Sequence, residues 1–358
     1  MKRLLTWAAA TACAVMLAVQ PAAAAASFPD VPTTNRFHDE IQYLVGKNII
    51  SGYSNGSFQP KKNVTRGEAA IMIGRTFELN GTKRATKFKD VPAQNGASGY
   101  IASATEKGII SGFADGTFRP NQSISRGDMA IILSRAFGLE TGSVQEYKDI
   151  SSNMKAYHAI RNIAGDFITT GYADSTFRPN GTVTREQFSA FLARGLSPVY
   201  KQRTVSSSTY MPNMTKKYTF GTPQGDMTME YKKTKGQFVE YSYTGFFWVL
   251  ERPATKEVSY INIEETSTML VTAYPFSEYY RDLVYPVKLG KTWQNGPADQ
   301  DIAKITGVNK TVKTPYKTFT NAVEVTEKGW KNYYVKGIGV VKSIDTSGKT
   351  ARELKAIQ

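Results

Sequence analysis

Three arginines share one spacing and one local setting. Arg66, Arg126 and Arg185 each follow a hydroxyl residue, Thr65, Ser125 or Thr184. Two positions further on stands a side chain that reaches back: Glu68, Asp128 or Gln187. Thr-x-x-Glu and Thr-x-x-Gln are capping boxes that open a helix, and Ser-x-x-Asp is a shorter-armed relative. Each arginine therefore occupies a first helical position. A helix N-terminus is already positive and presents unpaired amide N–H groups. A cation added there makes a place that holds an anion by charge and directed hydrogen bonds. The competing reading pairs each arginine with an acidic residue of a neighbouring segment. The local sequence leaves both open.

Other chemistry is scarce. The chain has two histidines, His38 and His158, and one cysteine, Cys13. That rules out a multi-histidine metal site, an intramolecular disulfide and a cysteine zinc cluster. It leaves little for Ser-His-Asp or Cys-His catalysis. Glu264 and Glu265 are adjacent, so on a strand they point to opposite faces. Asp299 and Asp301 share a face but sit in a loop-like context. Calcium-loop spacing is absent. No catalytic residue, metal or cofactor is expected.

The elements that must position the arginines repeat. Ile49 to Pro60, Ile109 to Pro120 and Ile168 to Pro179 align at offsets of 60 and 59 residues. The same offsets relate Asp30, Asp90 and Asp149, and also Arg75, Arg135 and Arg194. A period kept at separate landmarks is a repeat. Each copy reads as helix, loop, helix. Ile41, Leu44 and Val45 have helical spacing, and Gly52, Gly112 and Gly171 are expected to end the first helices. Asn55-Gly56 and Asp115-Gly116 are turn chemistry. The second helices, such as Met129 to Leu133, are apolar nearly all round and must be buried. The expectation is a central three-helix bundle of approximate threefold symmetry, closed within one chain.

The units resemble surface-layer homology domains. The likeness rests on the openings Phe28 to Val31, Phe88 to Val91 and Tyr147 to Ile150, and on the closings Val64 to Glu68, Ile124 to Asp128 and Val183 to Gln187. It implies a pseudo-trimer that binds an acidic, often pyruvylated, secondary polysaccharide of a Gram-positive-type cell wall without covalent attachment. It also implies that Arg66, Arg126 and Arg185 meet the sugar in grooves between repeats, with Gly52, Gly112 and Gly171 in the same sites. The third copy departs from the pattern. Glu186 puts a carboxylate beside Arg185, and Ser175 replaces the loop glycine. Its groove is expected to be the weakest. Tyr53, Phe113 and Tyr172 follow the loop glycines and read as packing residues or sugar platforms.

The boundaries follow. Residues 1–26 form an export signal: a basic start, an apolar run from Leu4 to Val19, then Pro21 and small residues. The repeats run 27–86, 87–146 and 147–198. A linker occupies 199–213. Residues 214–358 form a β-rich domain with eight to ten strands expected, as an antiparallel sandwich or curved sheet. The fold class is thus α + β in two domains, all-α-dominated then all-β. Tyr285 to Trp293, Thr318 to Val325 and Asn332 to Val341 are similar to β-rich modules of exported Gram-positive proteins, a likeness that assigns no activity. Trp248, Trp293 and Trp330 read as core.

The formal net charge is +15, shared about evenly by the two halves. This fits acidic wall polymers. No nucleic-acid motif accompanies it. The expected protein is secreted, free of membrane after signal cleavage, monomeric and non-enzymatic. The alternatives are a wall-anchored carboxylate-dependent glycosidase, or a glycan or peptide receptor in the β half.

Overall fold

Caps set where the helices start. The computed structural model describes residues 28–140, 143, 145–205, 209–238, 241–266, 268–275, 279–295 and 301–358. The expected export signal and Asp299 lie outside the described residues. Seven helices appear among them: α1 (His38–Gly46), α2 (Arg66–Thr76), α3 (Ser98–Glu106), α4 (Arg126–Phe137), α5 (Tyr157–Gly165), α6 (Arg185–Leu196) and α7 (Pro198–Gln202). Both expected capping boxes form, Thr65 with Glu68 and Thr184 with Gln187. Ser125 caps the Asp128 amide, but its own hydroxyl bonds the short Asp128 carboxylate in place of the reciprocal backbone bond.

The first helices end earlier than the glycine rule suggested. α1, α3 and α5 close at Gly46, Glu106 and Gly165. The left-handed residues that follow are Asn48 (φ 57°), Gly108 (φ 69°) and Phe167 (φ 55°). The next amide then bonds back across the turn: Ile49 to Leu44, Ile109 to Ala104 and Ile168 to Ile163, at 2.9–3.0 Å. Gly52, Gly112 and Gly171 lie beyond these ends and serve another purpose, described below.

Each opening aspartate grips the extended turn of its own copy. Asp30, Asp90 and Asp149 accept the amides of residues 58–59, 118–119 and 177–178 at 2.7–2.8 Å. This fixes Phe58, Phe118 and Phe177 inward, fully buried. Burial of such a side chain contributes about 1.5–3 kcal/mol. The copies are sewn together at their closing motifs. The Val64 amide donates to Val183 O, Val183 to Ile124 O and Ile124 to Val64 O.

The long helices share one apolar cluster, yet their nearest neighbours are not one another. α2 packs on α3, α4 on α5 and α6 on α1. Small residues permit this approach. A Cβ on Gly74 would lie 2.1 Å from Cδ1 of Tyr100 in α3. Each long helix leans chiefly on the first helix of another copy.

The second half is one antiparallel sheet. Its strands are β1 (Lys217–Thr222), β2 (Gly225–Phe238), β3 (Tyr241–Arg252), β4 (Glu257–Glu265), β5 (Met269–Ala273), β6 (Tyr279–Val284), β7 (Thr292–Gln294), β8 (Ile302–Lys313), β9 (Thr318–Glu327), β10 (Trp330–Val335), β11 (Gly339–Ile344) and β12 (Thr350–Ile357). Two six-stranded meanders, β1–β6 and β7–β12, join along β1 and β12. β6 and β7 are the edges, and side chains bring them together. Trp293 Nε1 donates to Arg281 O, and the Arg281 amide donates to Asn295 Oδ1. Twelve strands exceed the expected eight to ten. β6, β7 and β12 lack a plain run of alternating apolar residues, and β1 offers only Tyr218 and Phe220. Trp248 and Trp293 are buried as expected, whereas Trp330 is exposed.

The stretch read as a linker is partly built into the protein. Ser197 precedes α7, which has proline at its first turn. α7 buries Lys201 completely. Its Nζ donates to the Asp166 carboxylate at 2.5 Å and to Asp166 O at 2.8 Å, and lies 3.8 Å from the Phe246 ring of β3. Tyr210, Met211 and Met214 belong to the apolar cluster of the sheet, as does Phe167 from the third copy.

Candidate functional site

The three arginines are brought into equivalent places, each between two copies. Their side chains are 4–7% exposed. Arg66 Nε donates to Phe118 O at 2.8 Å and its Nη2 to Ser111 O at 2.6 Å. Arg126 Nε donates to Phe177 O, and Arg185 donates to Phe58 O and Ser51 O. Each arginine thus grips the backbone of another copy. The salt-bridge reading fails, because the partners are carbonyls. The open-amide reading fails too. The Arg66 and Gly67 amides donate to Gln122 O and Pro120 O, and equivalent carbonyls occupy the amides of Arg126, Gly127, Arg185 and Glu186. Burial lowers the pKa of Arg66 and Arg126 below the ordinary arginine value, but a guanidinium stays charged throughout the working range.

Each guanidinium also lies against the aromatic residue of the next loop. Arg66 is 4.8 Å from the Phe113 ring, Arg126 4.9 Å from Tyr172 and Arg185 4.7 Å from Tyr53. A second cation lies against each ring: Arg119 on Phe113 and Arg178 on Tyr172, both at 3.9 Å, and Lys62 on Tyr53 at 4.6 Å. The sequence reading missed these second cations. Their signal was the loop aspartate four residues before. Asp115 pairs with Arg119 and Asp174 with Arg178, each at 3.0 Å. Hydrogen bonds from Thr176 and Arg178 hold Asp174 down to about 2. The first copy has Asn55 instead, and Lys62 takes the place by another route.

Glu186 does not neutralise Arg185. Its carboxylate accepts from Lys61 at 2.5 Å and from Asn35 at 3.1 Å, both in the first copy. The reason given for a weak third groove is therefore removed. Ser175 adopts φ 61°, close to Gly56 at 77° and Gly116 at 78°, so the third loop keeps its shape.

The loop glycines are required by packing. A Cβ on Gly112 would lie 2.2 Å from Cε1 of Phe88 and 2.6 Å from Thr117 O. Gly52 and Gly171 meet Phe28 and Tyr147 in the same way. Gly112→Ala is expected to destabilise the protein by about 1–3 kcal/mol, because a backbone oxygen cannot swing aside. Gly96→Ala, with nothing within 4 Å, is the control. Thermal unfolding of the two variants checks this, and equal midpoints would refute the packing role.

A small cleft of about 60 Å³ opens beside the first arginine. Arg66, Ser111, Phe113, Asp128, Arg135 and Lys155 border it. Three cations face one carboxylate, and Asp128 is already bonded to Ser125. The cleft can receive an anionic group with an apolar ring face.

The family model for the S-layer homology domain matches residues 27–70, 87–130 and 146–189. The chain carries three S-layer homology domains. A surface-layer 125 kDa protein of Lysinibacillus sphaericus is 30% identical over 85% of this chain and 27% of its own length. That span reaches past the S-layer homology domains into the sheet. A cellulosome-anchoring protein of Acetivibrio thermocellus is 29% identical over 46% of this chain and 40% of its own. An S-layer protein of Bacillus thuringiensis subsp. finitimus is 34% identical over 51% and 23%. The chain spans less than half the length of each of these relatives. With its S-layer homology domains it is a secreted cell-surface protein. Among the described residues no helix is long and apolar enough to cross a membrane, and no group of His, Cys, Asp and Glu could hold a metal.

Proposed function

We propose that the chain is held non-covalently on a Gram-positive-type wall by an acidic, pyruvylated secondary polysaccharide lodged between repeats. The cation-rich cleft at Arg66, with Arg135 and Lys155 beside it, carries this reading. The cyclic helix contacts and the three closing-motif hydrogen bonds support a pseudo-trimer made by one chain. In this proposal the protein is monomeric, and its S-layer homology half is an anchor without catalytic activity.

The mature chain is expected to sediment with purified walls and to stay in solution with walls stripped of their non-peptidoglycan polysaccharide. Soluble acidic polysaccharide released from the same walls should compete. Equal sedimentation with stripped walls would overturn the proposal. Competition by a de-pyruvylated sample as strong as by the native one would overturn the pyruvyl specificity alone.

A further inference from the structure

The sheet encloses a cavity that anchoring does not use. It measures about 310 Å³, at the lower end of the ~300–1,000 Å³ usual for small-molecule sites. Alternate residues of β4, β5, β9 and β10 line it. Val325 with Glu327, Asn332 with Tyr334, and Leu270 with Thr272 are such pairs, so one face of the sheet curls around it. One wall is apolar, with Phe220, Met229, Ile261, Ile263 and Leu270 all buried. Polar side chains line the rest, with Asp282, Asn295, Glu327 and Arg352. Tyr274 and Tyr280 are 46% and 47% exposed, with ring centroids 6.3 Å apart.

The acids on the polar wall are occupied. Asp282 accepts from Thr272 at 2.6 Å and from Tyr334 at 3.1 Å. Glu327 accepts from Asn295 at 2.8 Å. Arg352 is different. Its Nε donates to Ser343 Oγ at 3.2 Å, and among the described residues neither Nη meets an acceptor. No carboxylate lies within ion-pair distance of it among those residues. A half-buried guanidinium with two parallel free donors matches the two oxygens of a carboxylate.

We infer that this cavity binds a small carboxylate with one apolar face, its carboxylate on Arg352 and its remainder against the wall of Met229, Ile261 and Leu270. The volume admits a single carboxylated sugar ring or a short fatty acid, and no polymer. The enclosed carboxylates Asp282 and Glu327 are structural partners in this assignment.

Calorimetry on the full mature chain tests it with glucuronate, glucose, octanoate and octanol. One of the two carboxylates is expected to bind, and its neutral counterpart at least tenfold more weakly. Glucuronate binding would identify a sugar acid, octanoate binding a fatty acid. Arg352→Gln should weaken binding tenfold or more while wall sedimentation stays unchanged. Ser259→Trp places bulk at an exposed position on the cavity rim without touching Arg352, and it should also weaken binding. Absence of binding by both acids at millimolar concentration would overturn the inference, as would equal binding of acid and neutral partner. So would hydrolysis of a glycan that Asp282→Asn abolishes.

Discussion

Lys201→Ala is expected to lower stability by about 3–5 kcal/mol, the cost of leaving one member of a buried ion pair alone. Lys201 has no exposed surface. Its partner Asp166 belongs to the third repeat and the Lys201 ammonium lies 3.8 Å from the Phe246 ring, so the pair sits where the third repeat meets β3. Burial pushes the Lys201 ammonium down to about 8 and the Asp166 carboxyl up. Both directions report charges deprived of water. Removing the lysine leaves that deprivation without its compensating attraction. The double variant Lys201→Met, Asp166→Asn removes both charges and keeps the side chains close to their original size. It should lose less than half as much as the single variant. Urea unfolding followed by tryptophan emission decides between them. Equal losses in the single and double variants would show that packing, not charge, joins the two halves.

Arg126→Ala should reduce wall binding at least tenfold and also cost stability. The hydrogen bond from a charged donor to Phe177 O accounts for about 1.5–3 kcal/mol. Stacking on Tyr172 and Phe177 adds about 0.5–2 kcal/mol. Arg126→Lys keeps the charge but loses the planar fork, so it should recover little of either. Arg185→Ala should match Arg126→Ala, because Glu186 faces Lys61 and Asn35. Wall sedimentation and thermal unfolding of the three variants form the test. Full binding by Arg126→Lys would show that charge alone suffices. Intact binding by Arg185→Ala would restore the weak third groove.

What could be read from the sequence was what is local. The caps at Thr65, Ser125 and Thr184 depend on residues three apart, and all three formed. The apolar second helices announced their burial. What could not be read was each partner across distance. Arg66 finds Phe118 O 52 positions away, and Arg185 finds Phe58 O 127 positions away. A carbonyl partner leaves no mark in residue types, so the sequence suggested an anion or an acid instead. Gly52 looked like a helix stop because its real constraint, the Phe28 ring, lies far back in the chain. The Arg352 cavity was hidden for a similar reason. β12 sets Arg352, Glu353 and Lys355 around a single Leu354 and shows no apolar alternation. Only pairing with β1 and β11 turns one of its faces inward. Three-residue β7 is too short to show any period.

The meeting of β6 and β7 matters for a protein exposed on a cell surface. An open sheet edge is a row of unmet donors and acceptors that recruits strands from neighbouring molecules. Here Arg281 of β6 closes that seam onto residues 293–295. Its amide and carbonyl are spent on Asn295 and Trp293, and its guanidinium reaches Gln294 O at 2.8 Å. The two strands most exposed to aggregation are turned toward each other. Neighbouring molecules can therefore touch through their sheets without adding strands to one another.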